Sequence, residues 1–303
     1  MKTFFSLATI SILLSAGVAS AQPLVLSVEE LPLGSERAWQ NPRFSPNGTS
    51  VFYTSPSFEG IWEYSLESKS TRQITSDPHS GYGYSISPDG RTIAYRRTII
   101  QPSRRRTQEI IVKDLRDHSA TVVDSGPNLS TPAFTDRRLS YTKGEQTREL
   151  SLSLQGSEIE VLGIENTKIA LLKGNTKVLL DPFGKGSYIW PSLSPDKTQI
   201  VAYEMERGTF VADIEGTVLA TLGRRNAPSW TFDGKWIVYM DDRDDGHQIL
   251  ESDIRYVSAD GTKSGRLTET ADVIELNPQC SPTDPKIVYH TLDGRIFLLT
   301  YSE

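Results

Sequence analysis

Short segments in which apolar and polar residues alternate recur along most of the chain. The clearest cover residues 49–53, 92–95 and 199–203, and each follows a turn sequence of the type Ser-Pro-Asn-Gly or Ser-Pro-Asp. Alternation with a period of two is typical of a β-strand that has one buried face. No long amphipathic helical pattern occurs between these segments. The pattern therefore predicts antiparallel strands joined by tight turns.

The turn sequences belong to a repeat. One apolar position just before each turn recurs at Phe44, Ile86, Phe134, Leu193, Trp230 and Cys280. Repeats of roughly 40–50 residues are typical of propeller blades, because one such unit cannot bury its own apolar face. We therefore predict an all-β fold, a β-propeller built from four-stranded antiparallel blades.

The number of blades follows from the spacing of these positions. Six positions favour six blades. The interval between Phe134 and Leu193 is too long for one blade, and residues 158–164, 168–172 and 177–180 inside it have strand patterns without the turn sequence. They form either a degenerate blade or an elaboration of the third one, so the sequence leaves seven blades open.

The turn of the second repeat explains why these residue types recur. Pro88 presets φ for the first central position, Asp89 suits the second, and Gly90 accepts a left-handed conformation. Residues 84–87 and 91–95 then form a hairpin, and residues 109–114 and 120–123 supply the outer two strands. We expect a positive φ at Gly90.

The two ends of the chain complement each other. The last repeat supplies strands at residues 276–280, 286–290 and 295–301 and then ends, one strand short of a blade. Residues 23–30 form an apolar strand without a blade of their own. Pairing the two ends would cover an exposed sheet edge, so we predict a ring closed by the N-terminal strand.

Residues 1–21 have the features of a secretory signal peptide. Lys2 precedes an uncharged, mostly apolar run at residues 4–18, and Ala19-Ser20-Ala21 offers small residues for cleavage before Gln22. A single propeller domain would then cover residues 22–303. We expect an exported protein, periplasmic or secreted, and no membrane span, because no second apolar stretch reaches the length of about 20 residues that a span needs.

The phrases Phe44-Ser-Pro-Asn-Gly, Ile86-Ser-Pro-Asp-Gly and Leu193-Ser-Pro-Asp, each followed by β-branched residues and Tyr, resemble the TolB-type β-propeller repeat. Related repeats occur in the propellers of prolyl-oligopeptidase-type enzymes. The resemblance covers roughly residues 40–300 and implies an exported propeller used for binding. The third copy departs from the pattern, since Asp136-Arg-Arg stands where Pro-Asp-Gly is expected.

The charge and the cysteine content of the chain exclude some classes of partner and cross-link. Without Lys2 the chain carries 31 basic and 38 acidic side chains, a net charge of −7. This acidity argues against a nucleic-acid partner, which requires a basic surface that neutralises phosphates. Cys280 is the single cysteine, so no internal disulfide forms, and we expect its side chain to be buried.

The sequence offers little catalytic chemistry, which favours a binding protein over an enzyme, although a site assembled from several blades stays open. It lacks the Gly-x-Ser-x-Gly elbow of a hydrolase domain. The four histidines, His79, His118, His247 and His290, fall in different repeats without a metal-binding spacing. No catalytic residue and no organic cofactor is predicted.

An acidic segment gives the one suggestion of a metal. Asp241, Asp242, Asp244 and Asp245 are four carboxylates within five residues, followed by Gly246. Calcium takes oxygen ligands from such loops, although Arg243 stands where an EF-hand has an acidic ligand. The segment is therefore either a solvated turn or a calcium site.

Four further residues are candidates for contact with a partner. They are His247, Asp253, Tyr188 and Trp190. Aromatic residues at the mouth of a propeller bind peptides or sugars, but packing between blades explains Tyr188 and Trp190 equally well.

Two functions are consistent with these sequence features. The first is a non-catalytic binding module or scaffold for a protein or peptide partner in the cell envelope. The alternative is a carbohydrate-active lyase or hydrolase with a site at the central channel. The sequence does not determine the oligomeric state.

Overall fold

The computed structural model describes residues 22–34, 37–134, 138–151, 159–174 and 176–302. The predicted signal peptide lies outside these residues. No helix long and apolar enough to cross a bilayer occurs within these ranges. In chain order the strands are β1 (Val25–Glu30), β2 (Gln40–Phe44), β3 (Ser50–Thr54), β4 (Ile61–Ser65), β5 (Thr71–Thr75), β6 (Ser85–Ile86), β7 (Thr92–Ile100), β8 (Arg106–Asp114), β9 (Ala120–Gly126), β10 (Ala133–Phe134), β11 (Arg138–Lys143), β12 (Gln146–Ser151), β13 (Ile159–Glu165), β14 (Lys168–Lys173), β15 (Thr176–Leu180), β16 (Tyr188–Leu193), β17 (Gln199–Glu204), β18 (Gly208–Asp213), β19 (Val218–Gly223), β20 (Asn226–Trp230), β21 (Trp236–Asp244), β22 (Ile249–Ser258), β23 (Ser264–Arg266), β24 (Glu275–Cys280), β25 (Lys286–Thr291) and β26 (Ile296–Tyr301).

These strands form seven antiparallel sheets, and each sheet is one propeller blade. Blades 1 to 7 consist of β2–β5, β6–β9, β10–β12, β13–β15, β16–β19, β20–β23 and β24–β26, the last with β1 as its outermost strand. The all-β propeller with four-stranded blades is confirmed for five sheets. The favoured number of six blades is wrong, because β13–β15 pair into a separate sheet although they lack the Ser-Pro-Asp-Gly turn. In the described residues, blades 3 and 4 have three strands each.

The turn between the first two strands of a blade depends on one hydroxyl group. In blade 2, the Ser87 hydroxyl donates to the Asp89 carboxylate at 2.6 Å and accepts the backbone N–H of Thr92 at 2.9 Å. The same pair of bonds recurs at Ser45, Ser194 and Thr231. The side chains thus close the hairpin in both directions, which explains why the Ser-Pro-Asp pattern recurs.

The N-terminal strand completes blade 7. β1 pairs antiparallel with β26 from Val25 opposite Tyr301 to Glu30 opposite Phe297. The predicted pairing between the two ends of the chain is therefore present. A further contact comes from Leu31, whose N–H donates to the Ile296 carbonyl at 2.8 Å.

Apolar clusters join neighbouring blades. Between blades 7 and 1, Trp39 packs edge-on against Tyr53 and Trp62, with ring centroids 5.0 and 4.8 Å apart, beside buried Val288 and Leu298. Comparable clusters join blades 1 and 2, 2 and 3, 4 and 5, 5 and 6, and 6 and 7. Burial of apolar side chains between the sheets thus holds them side by side.

Candidate functional site

Four first strands begin with the same irregularity. In β2, β16, β20 and β24 a β-bulge places one extra residue opposite the second strand of the blade. Each bulge contains a residue with a positive φ followed by proline, namely Asn41 (52°), Trp190 (52°), Ala227 (48°) and Asn277 (51°). The bulges lie at the start of these strands, away from the Ser-Pro-Asp turns that follow them.

This conformation is unfavourable for two of the four residues. A residue before proline is normally extended, and a left-handed conformation costs an L-residue roughly 1–2 kcal/mol. Asn41 and Asn277 tolerate it, whereas Trp190 and Ala227 lack a side chain suited to it. Bulges of this kind re-aim side chains, and local strain of this kind is concentrated at binding sites.

The four bulges surround a cavity of about 360 Å³, which we call the channel mouth. Its lining consists of Asn41, Pro42, Arg43, Trp190, Pro191, Ser192, Ala227, Pro228, Ser229, Asn277 and Gln279. These residues come from blades 1, 5, 6 and 7. First strands that are distant in sequence therefore meet at one site.

The channel mouth offers one aromatic ring and one cation. The Trp190 side chain is 41% exposed and packs edge-on against Tyr203, with ring centroids 5.7 Å apart. The exposed Arg43 donates to the Tyr84 carbonyl at 3.3 Å, and its guanidinium carbon lies 5.4 Å from the centre of the Tyr84 ring. Amide side chains of Asn41, Asn277 and Gln279 complete a set of groups suited to hydrogen bonding and stacking.

Hydrogen bonds between adjacent blades hold the lining in place. The Ser229 hydroxyl accepts the backbone N–H of Cys280 at 3.0 Å, and the Trp230 indole donates to the Ser192 carbonyl at 3.2 Å. In blade 2 the Ser85 hydroxyl accepts the backbone N–H of Phe134 at 2.9 Å. Burial raises the pKa of the Cys280 thiol to about 12. That side chain is thus a packing residue and not a nucleophile at neutral pH.

The predicted partner residues do not form one group. Trp190 lines the channel mouth, but Tyr188 is 1% exposed, packs in the core between blades 4 and 5, and donates its hydroxyl to Asp181 at 2.7 Å. That burial raises the pKa of Tyr188 to about 12. His247 is exposed in the β21–β22 turn, and Asp253 is half-buried on β22. Only Trp190 of the four reaches the cavity.

The acidic segment forms the end of a long hairpin made by β21 and β22. Asp241 lies 2.8 Å from Arg255. Asp242 and Asp244 both pair with Arg224, and Asp242 also accepts the Asn226 amide at 2.5 Å. The Arg224 guanidinium holds the pKa of Asp244 below its usual range. Cations of the same chain therefore compensate these three carboxylates.

The fourth acidic residue has a local role. Asp245 accepts the backbone N–H groups of His247 and Gln248 at 2.9 Å each, which fixes the turn around Gly246. No cluster of three or more His, Cys, Asp or Glu side chains with the geometry of a metal site occurs among the described residues. Calcium binding by this hairpin stays a prediction.

The histidines lie apart as well. His79, His118 and His247 are exposed, whereas His290 is buried on β25. Burial lowers the pKa of His290 to about 4, so its imidazole is neutral at physiological pH. In the described part of the chain, none of the four belongs to a cluster of three or more possible metal ligands.

Sequence reasoning missed Asn41, Arg43, Asn277 and Gln279 as members of the site. A signal for them exists, because a proline two residues before the repeated apolar position recurs at Pro42, Pro132, Pro191, Pro228 and Pro278, and four of these five prolines lie in the bulges. Proline inside a strand indicates an edge or a bulge. The strand pattern alone therefore points to a shared irregularity at these positions.

No protein-family model matches the chain, and a search of curated proteins finds no match. Among solved structures, the Cps50 (Swd1) β-propeller domain of Myceliophteria thermophila is 10% identical, with a TM-score of 0.61 over 93% of this chain and 100% of that one. TolB from Acinetobacter baumannii is 17% identical, with a TM-score of 0.48 over 88% of this chain and 56% of that one. An oligogalacturonate lyase from Vibrio parahaemolyticus is 14% identical, with a TM-score of 0.49 over 86% and 76%. The chain thus spans little more than half of TolB, and these likenesses concern the propeller fold.

Proposed function

We propose that the chain is an exported, non-catalytic binding module that holds a protein or peptide partner across the channel mouth. The observation that carries this proposal is the cavity lining, in which an exposed Trp190, the guanidinium of Arg43 and three amide side chains converge from blades 1, 5 and 7. Aromatic and arginine side chains are the residues that anchor partners most strongly. The resemblance of the repeats to the TolB type and the predicted signal peptide support an envelope location.

The same lining argues against the carbohydrate-active alternative. A lyase or hydrolase needs a side chain that accepts or delivers a proton close to the substrate. Among the described residues that line the channel mouth, none is a carboxylate, histidine, lysine or tyrosine. Binding by stacking and hydrogen bonding therefore fits these residues better than catalysis does.

The test is capture of a partner by the mature chain from the envelope fraction of its own cells. Trp190→Asn removes the indole ring. Asparagine already occupies the equivalent positions 41 and 277 with the same positive φ, so we expect the variant to keep the backbone conformation. We expect capture to fall at least tenfold, as for loss of an aromatic anchor. Leu219→Ser, an exposed apolar position on an outer strand, is the matched control and should bind as the wild type does.

Two results would contradict the proposal. Equal capture by the wild type and Trp190→Asn would move the partner away from the channel mouth. Formation of shortened or unsaturated oligosaccharides from oligogalacturonate by the purified chain would support the enzyme instead.

A further inference from the structure

Two hairpins extend further than their counterparts in other blades. In blades 1, 2, 5, 6 and 7 the second strand begins five residues after the serine or threonine of the turn, so these strands start at the same level. They have 5, 9, 6, 9 and 6 residues, respectively. The second strands of blades 2 and 6 therefore project about 10 Å beyond the others, at roughly 3.3 Å per residue.

Both hairpins project on the face of the propeller that carries the channel mouth. In blade 2, Ser85 at the start of the first strand pairs with Ala94, and β7 continues beyond this pair to Ile100. In blade 6, Asn226 at the start of the first strand pairs with Met240, and β21 likewise continues beyond it. The channel mouth lies at the starts of the first strands, so the two hairpins flank it.

The hairpin of β7 and β8, which we call the basic hairpin, ends in three positive charges. Arg104, Arg105 and Arg106 are all exposed. The carboxylate of Glu109 in this hairpin pairs with Arg97 instead, at 2.7 Å. Among the described residues no ion pair involves the three guanidinium groups of the tip. The tip therefore keeps a positive charge of three that the chain itself does not compensate.

The hairpin of β21 and β22, which we call the acidic hairpin, has the opposite charge. Residues 241–253 carry six carboxylates. Their ion pairs within the described residues involve only three guanidinium groups, those of Arg224, Arg243 and Arg255. Asp245 is exposed at the tip and belongs to none of these pairs. The acidic hairpin thus keeps a net negative charge that matches the charge of the basic one.

Each hairpin also exposes one large apolar side chain beside its charges. Ile100, opposite Arg106 in the last pair of the β7–β8 ladder, is 66% exposed. Leu250, the extra residue of the bulge near the end of the β21–β22 ladder, is 37% exposed. Contact between these two side chains would remove apolar surface from water, while the surrounding charges set the orientation. The two tips are therefore complementary in charge and in apolar surface.

A second copy of the chain can satisfy both hairpins at once. Within one chain they lie apart, because blades 7 and 1 stand between blades 6 and 2. In a face-to-face pair whose two-fold axis passes between blades 7 and 1, blade 2 of each copy faces blade 6 of the other. Symmetry then forms the second contact whenever the first one forms. Two contacts made together bind more tightly than either alone.

We infer that the chain forms a face-to-face dimer, in which the basic hairpin of each copy binds the acidic hairpin of the other. The arginines of one tip meet carboxylates of the partner copy, and Ile100 packs on Leu250 of that copy. The occupant is a second copy and not an anionic lipid surface, because the acidic hairpin projects equally far on the same face and would be repelled by such a surface. The inference does not depend on the function proposed for the channel mouth.

Sedimentation equilibrium of the full mature chain measures the dimer. We expect its dissociation constant to rise at least tenfold between about 50 mM and about 500 mM sodium chloride, because salt screens exposed charges. A chain that stays monomeric up to about 1 mM at the lower salt concentration would overturn the inference. So would a dimer whose dissociation constant does not change with salt.

Two charge-reversal variants show which hairpins meet. Arg105→Glu with Arg106→Glu makes the basic tip negative, and His247→Lys with Gln248→Lys and Glu251→Lys makes the acidic tip positive. All five side chains are exposed. Each variant alone should dimerise at least tenfold more weakly than the wild type, because like charges then meet at both contacts.

An equimolar mixture of the two variants should regain the wild-type dissociation constant to within about threefold, because every tip then meets one of opposite charge. This recovery would also show that both variants are folded. A mixture that stays monomeric, although each variant melts at the wild-type temperature, would overturn the pairing of these two hairpins.

The matched control makes the same charge change at the opposite end of blade 2. Arg91→Glu with Arg116→Glu alters two exposed arginines in the β6–β7 and β8–β9 turns and should dimerise as the wild type does. An equal loss in this control would overturn the assignment to the tips. Trp190→Asn should also dimerise normally, which distinguishes failure of this inference from failure at the channel mouth.

Vesicles that contain phosphatidylglycerol test the lipid alternative. We expect the wild type and Arg105→Glu with Arg106→Glu to stay equally in the supernatant when the vesicles are sedimented. Binding of a monomeric wild type to these vesicles, together with its loss in the arginine variant, would overturn the inference and assign the basic hairpin to a lipid surface.

Discussion

Leu24 and Ser302 bind each other through two hydrogen bonds, although they lie at opposite ends of the chain. The Leu24 N–H donates to the Ser302 hydroxyl at 3.0 Å, and the Ser302 N–H donates to the Leu24 carbonyl at 2.8 Å. The ladder of β1 and β26 continues from this pair to Glu30 opposite Phe297. Most side chains of β1 are exposed, so backbone pairing is its main contribution to blade 7.

Deletion of residues 23–30 should therefore destabilise the protein strongly. It removes the ladder bonds and leaves β26 as an unpaired edge, which we expect to cost on the order of 3 kcal/mol or more. Chemical denaturation of the mature chain measures this. Leu26→Ser is the control, because its side chain is 64% exposed and the backbone pairing is kept. An unchanged midpoint in the deletion variant would mean that the N-terminal strand does not hold the ring closed.

Gly90 tests the turn of the second repeat. Its φ is +69°, as predicted, and a Cβ added there would meet no atom within 4 Å. Gly90→Val should therefore destabilise the protein through backbone strain alone, by roughly 1–2 kcal/mol. Gly90→Asn should cost clearly less, because asparagine tolerates this conformation.

Urea unfolding measures the free energy of unfolding of Gly90→Val, Gly90→Asn and the wild type, which can then be compared. Lys197 already occupies the equivalent position of blade 5 with a φ of +61°, so replacement need not prevent folding. Equal stabilities for the valine and asparagine variants would show that the positive φ at this position is not the cause of the destabilisation.

The turn sequence predicted the hairpins because a single hydroxyl, such as that of Ser87, closes them locally. The favoured number of six blades was wrong because β13–β15 lack that sequence, and strand patterns alone do not show which strands pair. Contacts between residues far apart in the chain likewise cannot be predicted from local sequence patterns. Nothing near Asp242 and Asp244 indicates that Arg224, from the segment before β20, holds both carboxylates. The left-handed Trp190 contradicts the local preference of a residue before proline, so only the tertiary structure reveals it.

His290 should make the protein sensitive to acid. Its side chain is 5% exposed, and its Nδ1 has no hydrogen-bond partner among the described residues. Burial lowers its pKa to about 4, from an ordinary value of 6.5 that applies to the unfolded chain. The unfolded state therefore binds a proton first as the pH falls below 6.5, and stability decreases until the pH is below 4, by a total of on the order of 3 kcal/mol.

His290→Leu should remove this part of the pH dependence. Measurement of the unfolding free energy at pH 7, 5.5 and 4 should give a flatter profile for this variant than for the wild type. His118→Leu changes an exposed histidine and should leave the profile unchanged. Parallel profiles for the wild type and His290→Leu would show that other groups cause the acid sensitivity.

The calcium prediction concerns the hairpin of β21 and β22. Asp242 and Asp244 already share Arg224, so a cation bound to them would have to displace that guanidinium. We expect calcium to raise the melting temperature of the wild type by mass action, and to raise it more in Arg224→Gln, where both carboxylates are released.

Thermal melts with and without millimolar calcium test both expectations, and magnesium at the same concentration controls for screening. Replacement of Asp241, Asp242, Asp244 and Asp245 by asparagine should abolish the shift, because neutral amides bind the cation far more weakly. If calcium leaves both the wild type and Arg224→Gln unchanged, the hairpin is a solvated turn whose charges Arg224 and Arg255 balance. In that case the asparagine variant should be less stable than the wild type, since it loses these ion pairs and the negative charge that strengthens the hydrogen bonds from the His247 and Gln248 N–H groups to residue 245.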